Sequence, residues 1–246
     1  MDAGGARVSF FVDVARWFGN PAHWQGVNGV PSRLAEHMLM SAGSILAAAL
    51  IALPVGILLG HYGRGGGVAI NVSNIGRAIP SFAILVIAVQ VVGIGAKPAF
   101  IALVALGAPP ILTNTYVGLR EVNKELREAA RGLGMTGGQV LRRVELPLAM
   151  PLIMTGIRTS AVQVVATATL AAAVAWGGLG RYIIDGFSTQ DKVQVFAGAV
   201  LVALVATIVE RALSAVQKAV TPAGTRIAEK NVRRLENQAP HAELAA

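Results

Sequence analysis

Few residues of this sequence are spaced as a catalytic or metal site requires. The chain has no cysteine, and its four histidines follow no metal-ligand spacing. Those histidines are His23, His37, His61 and His241. The stretch GRGGG at residues 63–67 lacks the Lys and Ser or Thr of a phosphate-binding loop, so it is interpreted as a turn. Neither H-E-x-x-H nor G-x-S-x-G occurs. The sequence therefore predicts a chain that is not an enzyme and binds no metal or cofactor.

Polar side chains recur instead within the apolar stretches, where a solute path could use them. A polar group in lipid is costly unless it faces a cavity or another helix. Thr159, Gln163 and Thr167 are spaced four residues apart and so share one helix face. A single threonine more often makes a packing hydrogen bond, but the stripes together predict a water-accessible path. The candidate path residues are Asn74, Pro80, Ser81, Asn114, Thr115, Thr159, Gln163 and Thr167.

Two further features bear on the kind of solute. Pro109 and Pro110 are expected to interrupt helical bonding before Asn114 and to turn backbone carbonyls towards the path. No Asp or Glu lies deep in an apolar stretch, since Glu210 stands at the end of the last one. A proton or sodium relay is therefore poorly supported. A zwitterionic or quaternary-ammonium solute, bound tightly by a separate protein, suits this path better.

The apolar stretches are long enough to cross a membrane. Hydrophobic residues make up 54% of the 246 residues and charged residues 14%, and a spanning helix needs about 20 apolar residues. The sequence predicts an all-α membrane protein, a polytopic bundle of about five transmembrane helices. The predicted spans are 37–60, 78–96, 98–119, 146–176 and 193–209. Residues 1–36 would be an extracellular or interfacial segment with a helix at 8–18, 37–220 the membrane domain, and 221–246 a disordered cytoplasmic tail.

Basic residues are distributed unevenly between the two sides of such a bundle. Arg64, the segment 120–143 and residues 211–234 hold thirteen Lys or Arg residues, whereas the opposite side holds six. Because the side richer in Lys and Arg is usually cytoplasmic, the N-terminus is expected outside and the C-terminus in the cytoplasm. This topology also accounts for the net charge of +8. Without interleaved aromatic and basic residues, nucleic acid is not an expected partner.

The segment 121–147 carries the most informative local pattern. Asn123 can cap a helix with Lys124 and Arg127 on one face and apolar residues on another, and Gly134 can end it. Thr136 and Gln139 have the spacing of a capping box, which predicts a second helix to about Val144. Pro147 would then open the next span. This two-helix elbow could be a solvated loop, but its apolar strip favours a partner protein with a groove for a helix.

The pattern Glu128-Ala129-Ala130, Gly134 and Val144-Glu145-Leu146-Pro147 resembles the EAA loop of permease subunits in binding-protein-dependent ABC importers. Val144 stands where the family usually has Ile. The resemblance extends over about residues 33–224 and looks closest to permeases for glycine betaine, choline or carnitine. It is carried by the stretches RAIPSFAIL (77–85), APPILTNTYVGLREVNKELREAARGLGMT (108–136), PLAMPLIMTGIRTS (147–160) and GGLGRYI (177–183).

This resemblance implies a type I ABC importer permease fold and a contact with a separate cytoplasmic ATPase, which would bind ATP and Mg²⁺. The residues implied in that contact and in its closing motif are Glu128, Ala129, Ala130, Gly134, Met135, Thr136, Leu146 and Pro147. The implied partners are the ATPase, a second permease copy or homologue, an external solute-binding protein and membrane lipid. Three alternatives remain: an ABC permease for amino acids or another small polar solute, a secondary carrier or channel, and a membrane adaptor without transport.

Overall fold

The computed structural model describes residues 3–221, with side chains from Ser9 onwards except at positions 68, 69, 72 and 77. This part of the chain is helical, without β-strands. The α-helices are α1 Ala3–Gly19, α2 Val30–Tyr62, α3 Gly66–Ala78, α4 Ser81–Val92, α5 Ala96–Arg120, α6 Lys124–Gly132, α7 Gly137–Val140, α8 Leu146–Thr167, α9 Gly180–Ser188 and α10 Lys192–Val220. A π-turn, Leu141–Glu145, joins α7 to α8, and 3₁₀ turns cover Pro21–Trp24 and Ala168–Val174.

Within the described chain, four helical stretches are long and apolar enough to cross a membrane. They are Val30–Tyr62, Ala96–Arg120, Gly137–Val174 and Lys192–Val220. The predicted second span, 78–96, is different because helix α4 has only 12 residues. At about 1.5 Å per residue it is roughly 18 Å long, less than the ~30 Å hydrocarbon core. Pro80 explains the break, since it forces Ile79 into an extended conformation and contributes no backbone N–H.

Helix α5 lies among α2, α3, α4 and α8, and small residues let its neighbours approach it. A Cβ atom at Gly56 of α2 would lie 2.8 Å from Cβ of Thr115, and one at Gly60 would lie 2.7 Å from Cβ of Leu119. Gly156 of α8 is equally close to Asn114. These glycines therefore set the separation of α2 and α8 from α5.

Helix α5 continues through Pro109 and Pro110, so the two prolines remove the backbone hydrogen bonds that they cannot donate but do not end the helix. Their own carbonyls are also occupied within the chain. The Pro109 carbonyl accepts a hydrogen bond from Ser73 Oγ at 3.3 Å, and the Pro110 carbonyl accepts one from Asn114 Nδ2 at 2.8 Å. Side chains on α3 and α5 thus bond the carbonyls of the two prolines themselves, and the exposure of other carbonyls to a path stays a prediction.

The predicted elbow is wrong in its second half. The helix that starts at Gly137 does not end near Val144 but continues through the π-turn into α8, so Pro147 lies inside a long helical stretch. The Leu146 N–H bonds to the carbonyl of Leu141, five residues back. This wider turn lies immediately before the proline and accommodates a residue that cannot donate to the helix.

The terminal helices are longer than the sequence indicated, while the predicted domain boundaries stay a prediction. Helix α1 extends over Ala3–Gly19 rather than 8–18, and its Val14 and Trp17 are buried. Helix α2 begins at Val30, so the predicted boundary at residue 36 falls within a helix. The predicted disordered tail, except for Thr221, lies outside the described residues.

Candidate coupling site and translocation path

The two ends of the bundle differ in which residues they bring together. One end of the bundle, where Tyr62, Arg120 and Leu146 lie near α6, is called the loop end. The opposite end, where Val30 contacts Leu179, is called the far end. Gln217 of α10 belongs to the loop end, because its Nε2 donates to the carbonyl of Pro151. All coupling candidates lie at the loop end.

Helix α6 begins and ends as predicted. Asn123 Oδ1 accepts a hydrogen bond from the Glu125 N–H at 2.7 Å, which caps the first turn. Gly134 has a φ of +82°, the left-handed conformation that favours glycine at a helix end. The capping box of Thr136 and Gln139 is present and starts α7. The local chemistry predicted for these turns is confirmed.

The coupling candidates form a mostly exposed surface around α6. Glu128, Ala129, Gly134 and Thr136 are exposed, Met135 is half-buried, and Ala130 is buried against the bundle. Leu146 and Pro147 are half-buried where α8 begins. Two apolar side chains extend this surface: Leu126 is 49% exposed and Leu133 is 82% exposed. The arrangement provides apolar side chains, charges and a sharp turn on a short helix.

Beneath this surface lies a buried charged cluster formed by Glu145, His61 and Arg127. The Glu145 side chain is 0% exposed. Its Oε2 accepts a hydrogen bond from His61 Nδ1 at 2.5 Å, and its Oε1 lies 3.2 Å from Arg127 Nε. The second distance is that of an ion pair, although the N–H is not directed well enough for a hydrogen bond. Arg127 also donates from a terminal nitrogen to the carbonyl of Leu119.

Sequence reasoning missed this cluster. His61 and Glu145 are 84 residues apart, and each residue of the cluster alone resembles an ordinary charge near a span end. One signal was available: Glu145 stands next to apolar residues in the sequence VELP, just before a membrane span. A carboxylate there requires partners from other helices.

The predicted path residues separate into three groups. Ser81 and Thr167 line one narrow cleft between α4, α5 and α8, while Asn74, Pro80 and Thr159 are exposed and Gln163 is half-buried. Asn114 and Thr115 instead face neighbouring helices: Asn114 packs on Gly156, and Thr115 is completely buried against Gly56. The structure therefore brings Ser81 and Thr167 together but gives Asn114 and Thr115 the contacts of helix packing.

One further charge lies within a span. Arg158 of α8 is half-buried, and no hydrogen bond or ion pair forms to its guanidinium within the described part of the chain. It adjoins the exposed Thr159. Since a bare charge is unfavourable in lipid, this region of α8 is suited to contact water or another subunit.

The far end is held by a different kind of contact. Glu36 Oε2 accepts hydrogen bonds from the Gly178 N–H at 2.7 Å and from Arg33 at 2.9 Å, and its side chain is 36% exposed. Tyr182 donates its hydroxyl to the carbonyl of Asn28 at 2.7 Å. Burial raises the pKa of Tyr182, against the opposing effect of Arg33, so the phenol remains a donor.

No group of three or more His, Cys, Asp or Glu side chains suited to hold a metal ion occurs among residues with described placement. The observed clusters are ion pairs and hydrogen bonds that connect helices.

Comparison with known proteins gives consistent relatives. The chain is 41% identical over 189 residues to the choline transport system permease protein OpuBB of Bacillus subtilis (strain 168), covering 77% of this chain and 87% of the relative. It is 40% identical over 192 residues to the glycine betaine/carnitine/choline transport system permease protein OpuCB of the same organism, covering 78% and 88%.

Solved structures share the fold. An inward-facing structure of the MetNI methionine ABC transporter matches with a TM-score of 0.66 and 27% identity, covering 78% of this chain and 96% of the matched chain. The family model described as "Binding-protein-dependent transport system inner membrane component" matches residues 52–222. The chain therefore belongs to this family of multi-pass inner-membrane permeases of ABC importers.

Proposed function

We propose that this chain is the permease of an ATP-driven importer for osmoprotectants such as choline, glycine betaine or carnitine. The observation that carries this assignment is the 40–41% identity to two permeases named for those solutes, over more than three quarters of the chain. The absence of deep carboxylates in the predicted spans also suits solutes that are zwitterionic or quaternary ammonium ions. A separate solute-binding protein supplies tight recognition.

In this proposal, a separate cytoplasmic ATPase binds ATP and Mg²⁺, and its movement reaches the membrane through α6. Exposed Leu126 and Leu133, next to Glu128 and Ala129, form the surface that enters a groove of the ATPase. The loop end faces the cytoplasm, and the N-terminus lies outside, as the distribution of Lys and Arg indicates.

The solute passes between two permease chains in this proposal. Thr159 is an exposed polar residue of a predicted span, Asn74 is an exposed polar residue of α3, and Ser81 and Thr167 line a narrow cleft between α4, α5 and α8. A second copy or homologue covers this face and completes the path. In this proposal, the half-buried Arg158 contacts that second chain or the water of the path.

A second candidate is a permease for an amino acid. The observation in its favour is the fold shared with the methionine transporter at 27% identity. Uptake into proteoliposomes containing the permease, its ATPase and its binding protein separates the two. Choline, glycine betaine or carnitine should compete with labelled substrate, whereas methionine should not. Competition by methionine alone would favour the second candidate, and uptake without ATP under an ion gradient would favour a secondary carrier.

The coupling role of α6 is tested by Gly134→Val. Gly134 has open space around its Cβ position, so the valine is penalised by the positive φ, at about 1 kcal/mol or more, rather than by a clash. We expect ATP-dependent uptake to fall at least ten-fold in correctly inserted protein.

Gly26→Val is the matched control, because Gly26 also has a positive φ, +75°, and open surroundings, but lies away from α6. We expect it to retain uptake. Equal losses in both variants, or full uptake with Gly134→Val, would contradict a specific role for this turn.

A further inference from the structure

We propose that Glu145, His61 and Arg127 form an ionic latch that fixes α6 to α2, α5 and α8. Movement of α6 is then passed to three spans at once. This inference rests on the proposed function, in which α6 docks on the ATPase. None of the three residues contacts solute or nucleotide, so they act as positioning residues for transport.

The bonding of the cluster joins all four helices. Glu145 leads into α8, His61 is in the last turn of α2, and Arg127 is in α6. The 2.5 Å hydrogen bond between His61 Nδ1 and Glu145 Oε2 joins α2 to the start of α8. Arg127 contacts Glu145 with Nε and reaches the end of α5 through the Leu119 carbonyl. A single guanidinium therefore connects α6 to two spans.

Burial distinguishes this cluster from the other ion pair of α6. The His61 and Arg127 side chains are each 12% exposed and that of Glu145 is 0% exposed, so water replaces a broken contact to Glu145 poorly. Lys124 and Glu128 form a pair on the outer face at 3.5 Å, with side chains 88% and 60% exposed. Such a surface pair contributes little to holding a helix in place.

Helix α6 depends on these inward contacts for its position. It has nine residues, which is too short for a helix to be stable without tertiary contacts. Ala130 is the residue of the helix that is buried among apolar neighbours, and the preceding Val122 packs against Leu119, Ala149 and Ile153. Arg127 adds the charged attachment, and its removal would leave α6 held by small apolar contacts.

The test uses the complete transporter, with ATPase and binding protein, in proteoliposomes. The variants are Arg127→Gln, Arg127→Lys and His61→Gln, and Arg143→Gln is the matched control. Arg143 is exposed, lies two residues before Glu145 and forms no ion pair within the described residues. Two quantities are measured: solute taken up per ATP hydrolysed, and hydrogen exchange of the α6 amides in the assembled complex.

The latch predicts that Arg127→Gln still co-purifies with the ATPase and hydrolyses ATP, while solute per ATP falls at least ten-fold. Exchange in α6 should rise by a similar factor. Arg127→Lys should recover part of the loss, His61→Gln should show an intermediate loss, and Arg143→Gln should match the unmodified protein. If Arg127→Gln does not assemble with the ATPase, the same two measurements on His61→Gln test the latch. The introduced amide can still donate a hydrogen bond to Glu145.

Unchanged solute per ATP and unchanged exchange, in whichever of these two variants assembles, would overturn the latch. A lower yield of assembled protein with a normal ratio would also overturn it, because the cluster would then serve folding alone. Failure of the unmodified chain to bind any ATPase would instead refute the proposed function, and the two failures are therefore distinguishable.

Discussion

The two ends of this bundle each use a glutamate, but in opposite ways. At the loop end, Glu145 is fully buried and pairs with Arg127 and His61 from two other helices. At the far end, Glu36 is 36% exposed and contacts Arg33 of its own helix and the backbone of Gly178. The loop end is therefore joined by polar side chains that are largely shielded from water. The far end is joined by close backbone contact, and its carboxylate can still be solvated.

This difference predicts which changes disrupt each end. Removing a charged side chain should lower stability more at the loop end than at the far end, because its partners there would stay buried and unpaired. Added volume should harm the far end most, because glycines there pack directly on backbone atoms. Each of the following variants tests one side of the comparison, and all are measured as unfolding in detergent.

Glu145→Ala should have the largest effect. It leaves Arg127 without its buried partner, and breaking a buried pair costs about 3–5 kcal/mol. The double variant with Arg127→Ala should recover part of that loss, which a double-mutant cycle measures. A loss below about 1 kcal/mol would mean that water reaches this cluster and that the two ends are alike.

Gly180→Ala should come second, at about 1–3 kcal/mol from overpacking. A Cβ atom at Gly180 would lie 2.7 Å from the Thr169 Cα, and backbone cannot move aside as a flexible side chain can. Gly132→Ala is the control, because nothing lies within 4 Å of its Cβ position. We expect this helical glycine to tolerate alanine or to gain slight stability. Equal stability of the two variants would show that the far end is not closely packed.

Glu36→Gln should have the smallest effect, about 1 kcal/mol or less. The amide oxygen can still accept from the Gly178 N–H, and water can reach the side chain that loses its charge pairing with Arg33. Its thermal unfolding should therefore be close to that of the unmodified protein. A loss as large as that of Glu145→Ala would abolish the distinction between the ends.

Predictions from the sequence were most accurate for local structure whose determining residues are close together in the chain. The cap at Asn123, the turn at Gly134 and the capping box at Thr136 each depend on neighbours within a few positions, and all three formed. The spans were also recognisable, because each is a continuous apolar stretch. The short α4 was not foreseen, since hydropathy does not register the break that Pro80 introduces.

The rest required tertiary contacts. His61, Arg127 and Glu145 are individually unremarkable in the sequence and acquire a role only when α2, α6 and α8 meet. The same is true of Thr115, whose burial depends on Gly56 of another helix. Pro147 suggested a helix start, and only the π-turn beside it shows how one helix continues through that position.

The π-turn at Leu141–Glu145 also sets the direction in which the side chains of α8 face around the helix axis. Its extra residue turns everything beyond it by about 100° relative to the α7 capping box, as one position of an α-helix does. The direction of the Thr159, Gln163 and Thr167 row is thus set 14 to 26 residues upstream, at Leu141–Glu145. Deleting one residue from the π-turn would rotate the row of Thr159, Gln163 and Thr167 by about a quarter-turn around the α8 axis without changing any residue in it.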